Sequence, residues 1–189
     1  MASFFWLCQK LIFWTPQIYF LVTHDVTDIY QIMKAASINE LKKELELRNH
    51  TELLSFTLRL AKFKKENKEL LTFLLFEADD ITTFVENVKQ ETDFFFGEIN
   101  NSNIYYIKKS VRKILRHVNK HIRFAVSKQA EAEILIHFCN NIISFSIPLH
   151  KSKPLLKMYE TQLRKIDEAL STLHPDLQYD LRKQLKPGV

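Results

Sequence analysis

Lys109, Arg112, Lys113, Arg116, Lys120 and Arg123 are the residues of this sequence whose spacing most directly suggests chemistry. They recur three and four apart, and the stretch from Asn103 to Lys128 holds eight Lys or Arg and no acid. On a helix wheel of about 100° per residue they share one arc, a row of cations that could follow the phosphates of a polyanion. The opposite signal runs beside it. Ile104, Ile107, Val111, Ile114, Leu115, Val118, Ile122 and Ala125 form an apolar stripe of the kind that faces a core. His117 and His121 are also four apart, a spacing at which two imidazoles can ligate one metal ion. Neither is followed by the glutamate of the zincin pattern, and Arg116, Lys120 and Arg123 beside them would oppose a dication. The sequence therefore predicts no metal and no other cofactor, and places both histidines on the flank of the apolar stripe.

Carboxylates offer a second chemistry. Glu66-Asn-Lys-Glu69 and Glu77-Ala-Asp-Asp80 give an E-x-x-E followed by an E-x-x-D. Over residues 66–80 this resembles the all-α nucleoside triphosphate pyrophosphohydrolases, in which such pairs hold magnesium against phosphates. The resemblance implies magnesium-dependent release of pyrophosphate from a nucleotide. Seven residues separate the halves, so the four carboxylates would be strung along one short helix, whereas a hard cation needs oxygens that converge. His137 and Cys139 stand two apart, do not face each other on a helix, and read as buried side chains. No Ser, Thr or Asp completes a catalytic triad, so no catalytic residue is assigned.

Composition narrows the classes further. Two glycines among 189 residues are too few for phosphate-cradling loops, which excludes Walker-type and dinucleotide-binding folds. A net charge of +5 is modest, so the distribution of charge carries more information than its total. Cys8 and Cys139 make no disulfide framework, and a reducing, cytoplasmic location follows.

The elements that must position these groups begin after a break. Residues 1–32 hold eight of the 23 aromatics and three formal charges, Lys10, Asp25 and Asp28. They form an apolar segment that need not belong to the domain, and residues 3–22 are long enough for a membrane anchor. Residues 33–189 read as a single helical domain. Ser37 and Glu40 make a capping box, Thr51 can cap a second helix with a stripe of Leu53, Phe56, Leu60 and Phe63, and a third helix at 67–78 is apolar nearly all round, as interior helices are. From Glu77 to Glu98 seven acids face one lysine, and Gly97 suits a left-handed cap. The basic helix follows a short Asn-rich turn, so Glu86, Glu91 and Asp93 are expected to balance part of the basic stripe. Ser127 caps a central core helix containing Phe138. Pro154 opens a helix presenting Leu155, Tyr159, Leu163, Ile166, Leu170 and Leu173, with Glu160 and Arg164 spaced to pair, and Pro175 opens a last short helix.

The fold expected is all-α, made of antiparallel helical hairpins arranged as a bundle or a short α-solenoid. After Met33 the chain resembles small uncharacterised all-helical bacterial proteins that begin with an INELKKELELRN-type helix and continue LLSFTLRLAKFKKENKELLTFLLFEADD. No functional residue is carried over from them. The leading functional expectation is a non-enzymatic helical module with a protein partner. Nucleic-acid or other polyanion binding through residues 103–126 is the alternative, magnesium-dependent nucleotide hydrolysis a third, and membrane contact is confined to residues 3–22.

Overall fold

A computed structural model describes residues 35–186. The apolar segment at 1–32, with its anchor reading, lies outside them. The described residues are all-α and contain no strand. In order they form α1 (Ile38–Glu46), α2 (His50–Phe63), α3 (Lys65–Phe76), α4 (Ile81–Gly97), α5 (Ile104–Ala125), α6 (Lys128–Ser144), a 3-10 turn at Leu149–Lys151, α7 (Lys153–Leu170) and α8 (Pro175–Gln184). Among these helices none is long and apolar enough to cross a membrane.

Contacts divide the described residues into two units between Thr57 and Leu58, inside α2. In the first unit the capping box forms as expected. Ser37 N–H donates to Glu40 Oε2 at 2.7 Å, and Glu40 N–H to Ser37 Oγ at 3.4 Å. The start of α2 is set by Asn49 rather than Thr51, through a second reciprocal pair: Glu52 N–H donates to Asn49 Oδ1 at 2.9 Å and Asn49 N–H to Glu52 Oε2 at 3.2 Å. Asn accepts at this position as well as Ser or Thr does. Neither α1 nor α2 contains a fully buried residue.

The second unit is a bundle built on α6, which packs against α4, α5, α7 and α8. A helix surrounded in this way needs apolar residues around most of its circumference. Ile134, Leu135, Ile136, Phe138, Cys139 and Ile142 are all buried, as the sequence suggests. The amphipathic helices around it each contribute one stripe: Phe84, Val85, Val88 and Phe96 from α4, Ile107, Val111, Ile114 and Val118 from α5, and Leu155, Tyr159, Ile166 and Leu170 from α7. Asn103 caps α5 by accepting from Tyr105 N–H at 2.9 Å, and Ser127 caps α6 by accepting from Ala130 N–H at 3.3 Å. Phe96 and Phe138 meet at 5.6 Å between ring centroids, an aromatic contact at the α4–α6 seam.

Three expectations are corrected. The helix expected to be interior, α3, buries Phe73 alone and leaves Leu74, Leu75 and Phe76 exposed. It packs chiefly on α5, and a helix with one main neighbour can bury one stripe whatever its remaining composition. Gly97 is not a left-handed cap. It is the last residue of α4 without a positive φ, and the left-handed positions fall at Val126 (φ 48°) and Ser146 (φ 51°). Glu160 and Arg164 do not pair: Arg164 Nη2 donates to Thr161 Oγ1 at 3.5 Å, and the ion pair of α7 joins Asp167 to Arg182 of α8 at 3.4 Å.

Candidate functional site

Because α5 and α7 both pack on α6, a furrow is left between them. Leu115 and Met158 give it an apolar floor, and its walls carry Lys108, Lys109, Arg112 and Arg116 from α5 and Lys157 from α7. Its volume is about 800 Å³. Tyr105 stands in its lining at the start of α5, with more than half of its surface exposed. Five cations line this furrow and no carboxylate does. None of the five takes part in a salt bridge among the described residues. A cation without a counter-charge on the protein keeps its attraction for an external anion.

The six basic residues singled out by spacing therefore separate. Lys109, Arg112 and Arg116 reach the furrow. Lys113 turns towards the end of α4, beside Phe95 and Glu98. Lys120 is half-buried and donates to Glu69 Oε2 of α3 at 2.9 Å, which holds the Glu69 carboxyl below the usual glutamate value. Arg123 is exposed in the last turn of α5, where a cation complements the free carbonyls of the helix end.

The acidic helix does not balance the basic stripe. Glu86 pairs with Lys89 on its own helix at 3.9 Å, and Lys89 also reaches Glu133 of α6 at 3.2 Å. Asp93 accepts from Asn141 Nδ2 and faces His137 Nε2, each at 2.6 Å, so its bonds run to α6. His137 is consequently at the rim of the core and not inside it. Glu91 is the acid that does meet α5, and it does so through His117, whose Nε2 lies 2.9 Å from Glu91 Oε2. The expected pairing fails because α4 turns these three acids towards Lys89, α6 and the histidine flank of α5, while the Arg row of α5 faces α7.

His117 and His121 lie in tilted contact, with ring centroids 4.3 Å apart and planes 59° apart, and Phe95 meets His117 edge-on at 4.9 Å. Phe84 and Phe124 lie 5.8 and 5.7 Å from His121. His121 Nδ1 is 3.0 Å from the carbonyl oxygen of His117. Burial holds both imidazoles below the ordinary histidine value, against the pull of Glu91 in the other direction. Glu91, His117 and His121 offer ligand atoms that all lie within 4.8 Å of one another.

Two of the four carboxylates of the E-x-x-E and E-x-x-D pairs are engaged separately. Glu69 holds Lys120, and Asp80 caps α4 by accepting from Thr83 N–H at 3.0 Å and Thr83 Oγ1 at 2.6 Å. Cys139 is fully buried, and desolvation pushes its thiol up to about 12, so it remains a thiol and no nucleophile at neutral pH. Sequence spacing passed over Lys108, which lies beside the expected arc, and Tyr105 at its start. Lys157 carries no local signal, because only the packing of α7 on α6 brings it into the furrow. Compared with family models, with curated proteins and with solved structures, the chain gives no match.

Proposed function

We propose that this protein binds single-stranded nucleic acid along the furrow between α5 and α7. The observation that supports this reading best is the unopposed row of Lys108, Lys109, Arg112, Arg116 and Lys157 on one concave surface. An α-helix of 22 residues is about 33 Å long, which spans several successive phosphates. The exposed ring of Tyr105 at one end of the row offers a face on which a base can stack, which favours a single strand over a duplex. Titrating the full chain into a fluorescein-labelled oligonucleotide while varying salt tests the proposal. If all five cations meet phosphates, the slope of log K against log salt should be about −3.5 for a single strand, at roughly 0.7 per contact. Absence of binding at low salt, or binding that salt does not weaken, would defeat it.

The protein-interaction reading stays as the second. Its support is the run Leu74, Leu75 and Phe76 at the end of α3, three large apolar side chains that are 56%, 63% and 80% exposed. Capture of one partner that survives nuclease treatment, and is lost on Leu75→Ser with Phe76→Ser, would favour it over the furrow.

A further inference from the structure

We propose that Glu91, His117 and His121 form a divalent-metal site of two imidazoles and one carboxylate, with zinc as the ion it suits best. The three come from two adjoining helices, α4 and α5, so the site depends on their packing and not on local sequence alone. One histidine already has a free lone pair, and the other exchanges a proton for the ion. A carbonyl oxygen can only accept, so the 3.0 Å contact with the His117 carbonyl places the proton of His121 on Nδ1 and frees Nε2. An imidazole whose second nitrogen donates to a backbone carbonyl is also the usual arrangement of a histidine ligand. His117 Nε2 donates its proton to Glu91 Oε2 across 2.9 Å, so an ion shared between them would displace that proton to solvent and widen the separation only slightly. Ligand atoms about a tetrahedral zinc ion stand roughly 3.3 Å apart, given bonds of about 2.0 to 2.1 Å. The present spread of at most 4.8 Å closes to that by side-chain rotations of about 1.5 Å or less, and Glu91, exposed on α4, is free to make them.

The surroundings suit an ion better than the neighbouring cations suggest. Lys120, the nearest of them on the same helix, is held by Glu69 at 2.9 Å, and Arg116 faces the α7 furrow. Phe84, Phe95 and Phe124 wall the imidazole pair, restricting ring rotation and keeping the outer shell apolar. Three protein ligands leave a fourth position for water, the open arrangement of reactive rather than purely structural zinc. Two neutral nitrogens and one oxygen favour zinc and its first-row neighbours over magnesium or calcium, which take oxygen sets.

Tag-free full chain, stripped with chelator, should bind one zinc ion in calorimetry, and cobalt(II) should give the visible bands of a four-coordinate site. Glu91→Gln, His117→Gln and His121→Gln should each weaken binding by about tenfold or more, the scale on which even outer-shell changes act. His137→Gln, at the other histidine–acid contact of α4 and α6, should leave it unchanged. Should a histidine variant lose its helical melt, Glu91→Gln decides alone, because that side chain is exposed. No stoichiometric binding, or binding indifferent to all three substitutions, would overturn the site.

Discussion

Lys120 Nζ lies 2.9 Å from Glu69 Oε2, so the one lysine of the basic arc with an acidic partner among the described residues takes it from α3 and not from the acid-rich α4 beside it. Both side chains are partly covered, with 19% and 30% of their surface exposed, and Lys65 stands 3.7 Å from the other Glu69 oxygen. The pair fastens α3, a helix with little buried surface of its own, to α5.

Glu69→Gln should therefore cost about 0.5 to 1 kcal/mol at neutral pH, the upper end for a pair open to solvent. The Glu69 carboxyl is held below 4.5, chiefly by the Lys120 bond, so its contribution is fully present above that value and is lost as pH falls through the lower, folded value. Denaturant melts at pH 7 and at pH 3 should show the difference between variant and wild type shrinking in acid. An equal difference at both would mean that the substitution acts through packing.

Arg112→Gln, Arg116→Gln and Lys157→Gln combined should leave the melting curve nearly unchanged, since all three side chains are exposed and such substitutions usually stay within about 0.5 kcal/mol each. The salt slope of oligonucleotide binding should flatten by about 2 for the three lost contacts. Lys113→Gln, on the α4 side of the same helix, should change the slope little. A slope that responds equally to Lys113 and to the furrow residues would point to diffuse charge attraction.

Much of this arrangement is legible in residue order where the cause is local. The Ser37 box, the Ser127 cap, Pro154 near the start of α7 and the circumferential apolarity of α6 each act within a few residues, and each is where the spacing places it. The furrow is legible only in half, because Lys157 meets the Arg row through two helices resting on a third. Glu91 joins His117 across 26 residues for the same reason, and the cations adjacent in sequence argued against a metal that their orientation in space does not. The composition of α3 misleads in the opposite sense: hydrophobicity all round a helix states what could be buried, while the number of packed neighbours decides what is.

Phe138→Ala and Leu74→Ala separate these two cases. Phe138 has no exposed surface and sits in the middle of α6, so truncation should cost about 3 to 5 kcal/mol. Leu74 is 56% exposed, and its truncation should change stability by no more than about 0.5 kcal/mol. Chemical denaturation of both variants checks the contrast. A large loss at Leu74 would show that α3 is covered after all.

Val126 closes α5 with φ 48° and ψ 32°, and its N–H donates to the Ile122 carbonyl at 3.3 Å. A β-branched residue in the left-handed region costs roughly 1 to 2 kcal/mol, because its Cβ crowds the following carbonyl. Nothing in its packing offsets that cost, since the side chain is 88% exposed. Val126→Gly removes the crowding and gives back about 0.5 to 1 kcal/mol in unfolded-state entropy, so a net gain of roughly 0.5 to 1 kcal/mol is expected. For a chain of this length each kcal/mol corresponds to about 2 to 4 °C in Tm. Val126→Ala should do much less, because alanine keeps the Cβ that causes the crowding, and Val126→Asn should fall between them. The order Gly, Asn, Ala in thermal melts identifies backbone strain as the cause. If alanine stabilised as much as glycine, the gain would come from removing an exposed apolar side chain, and the turn between α5 and α6 would carry no strain.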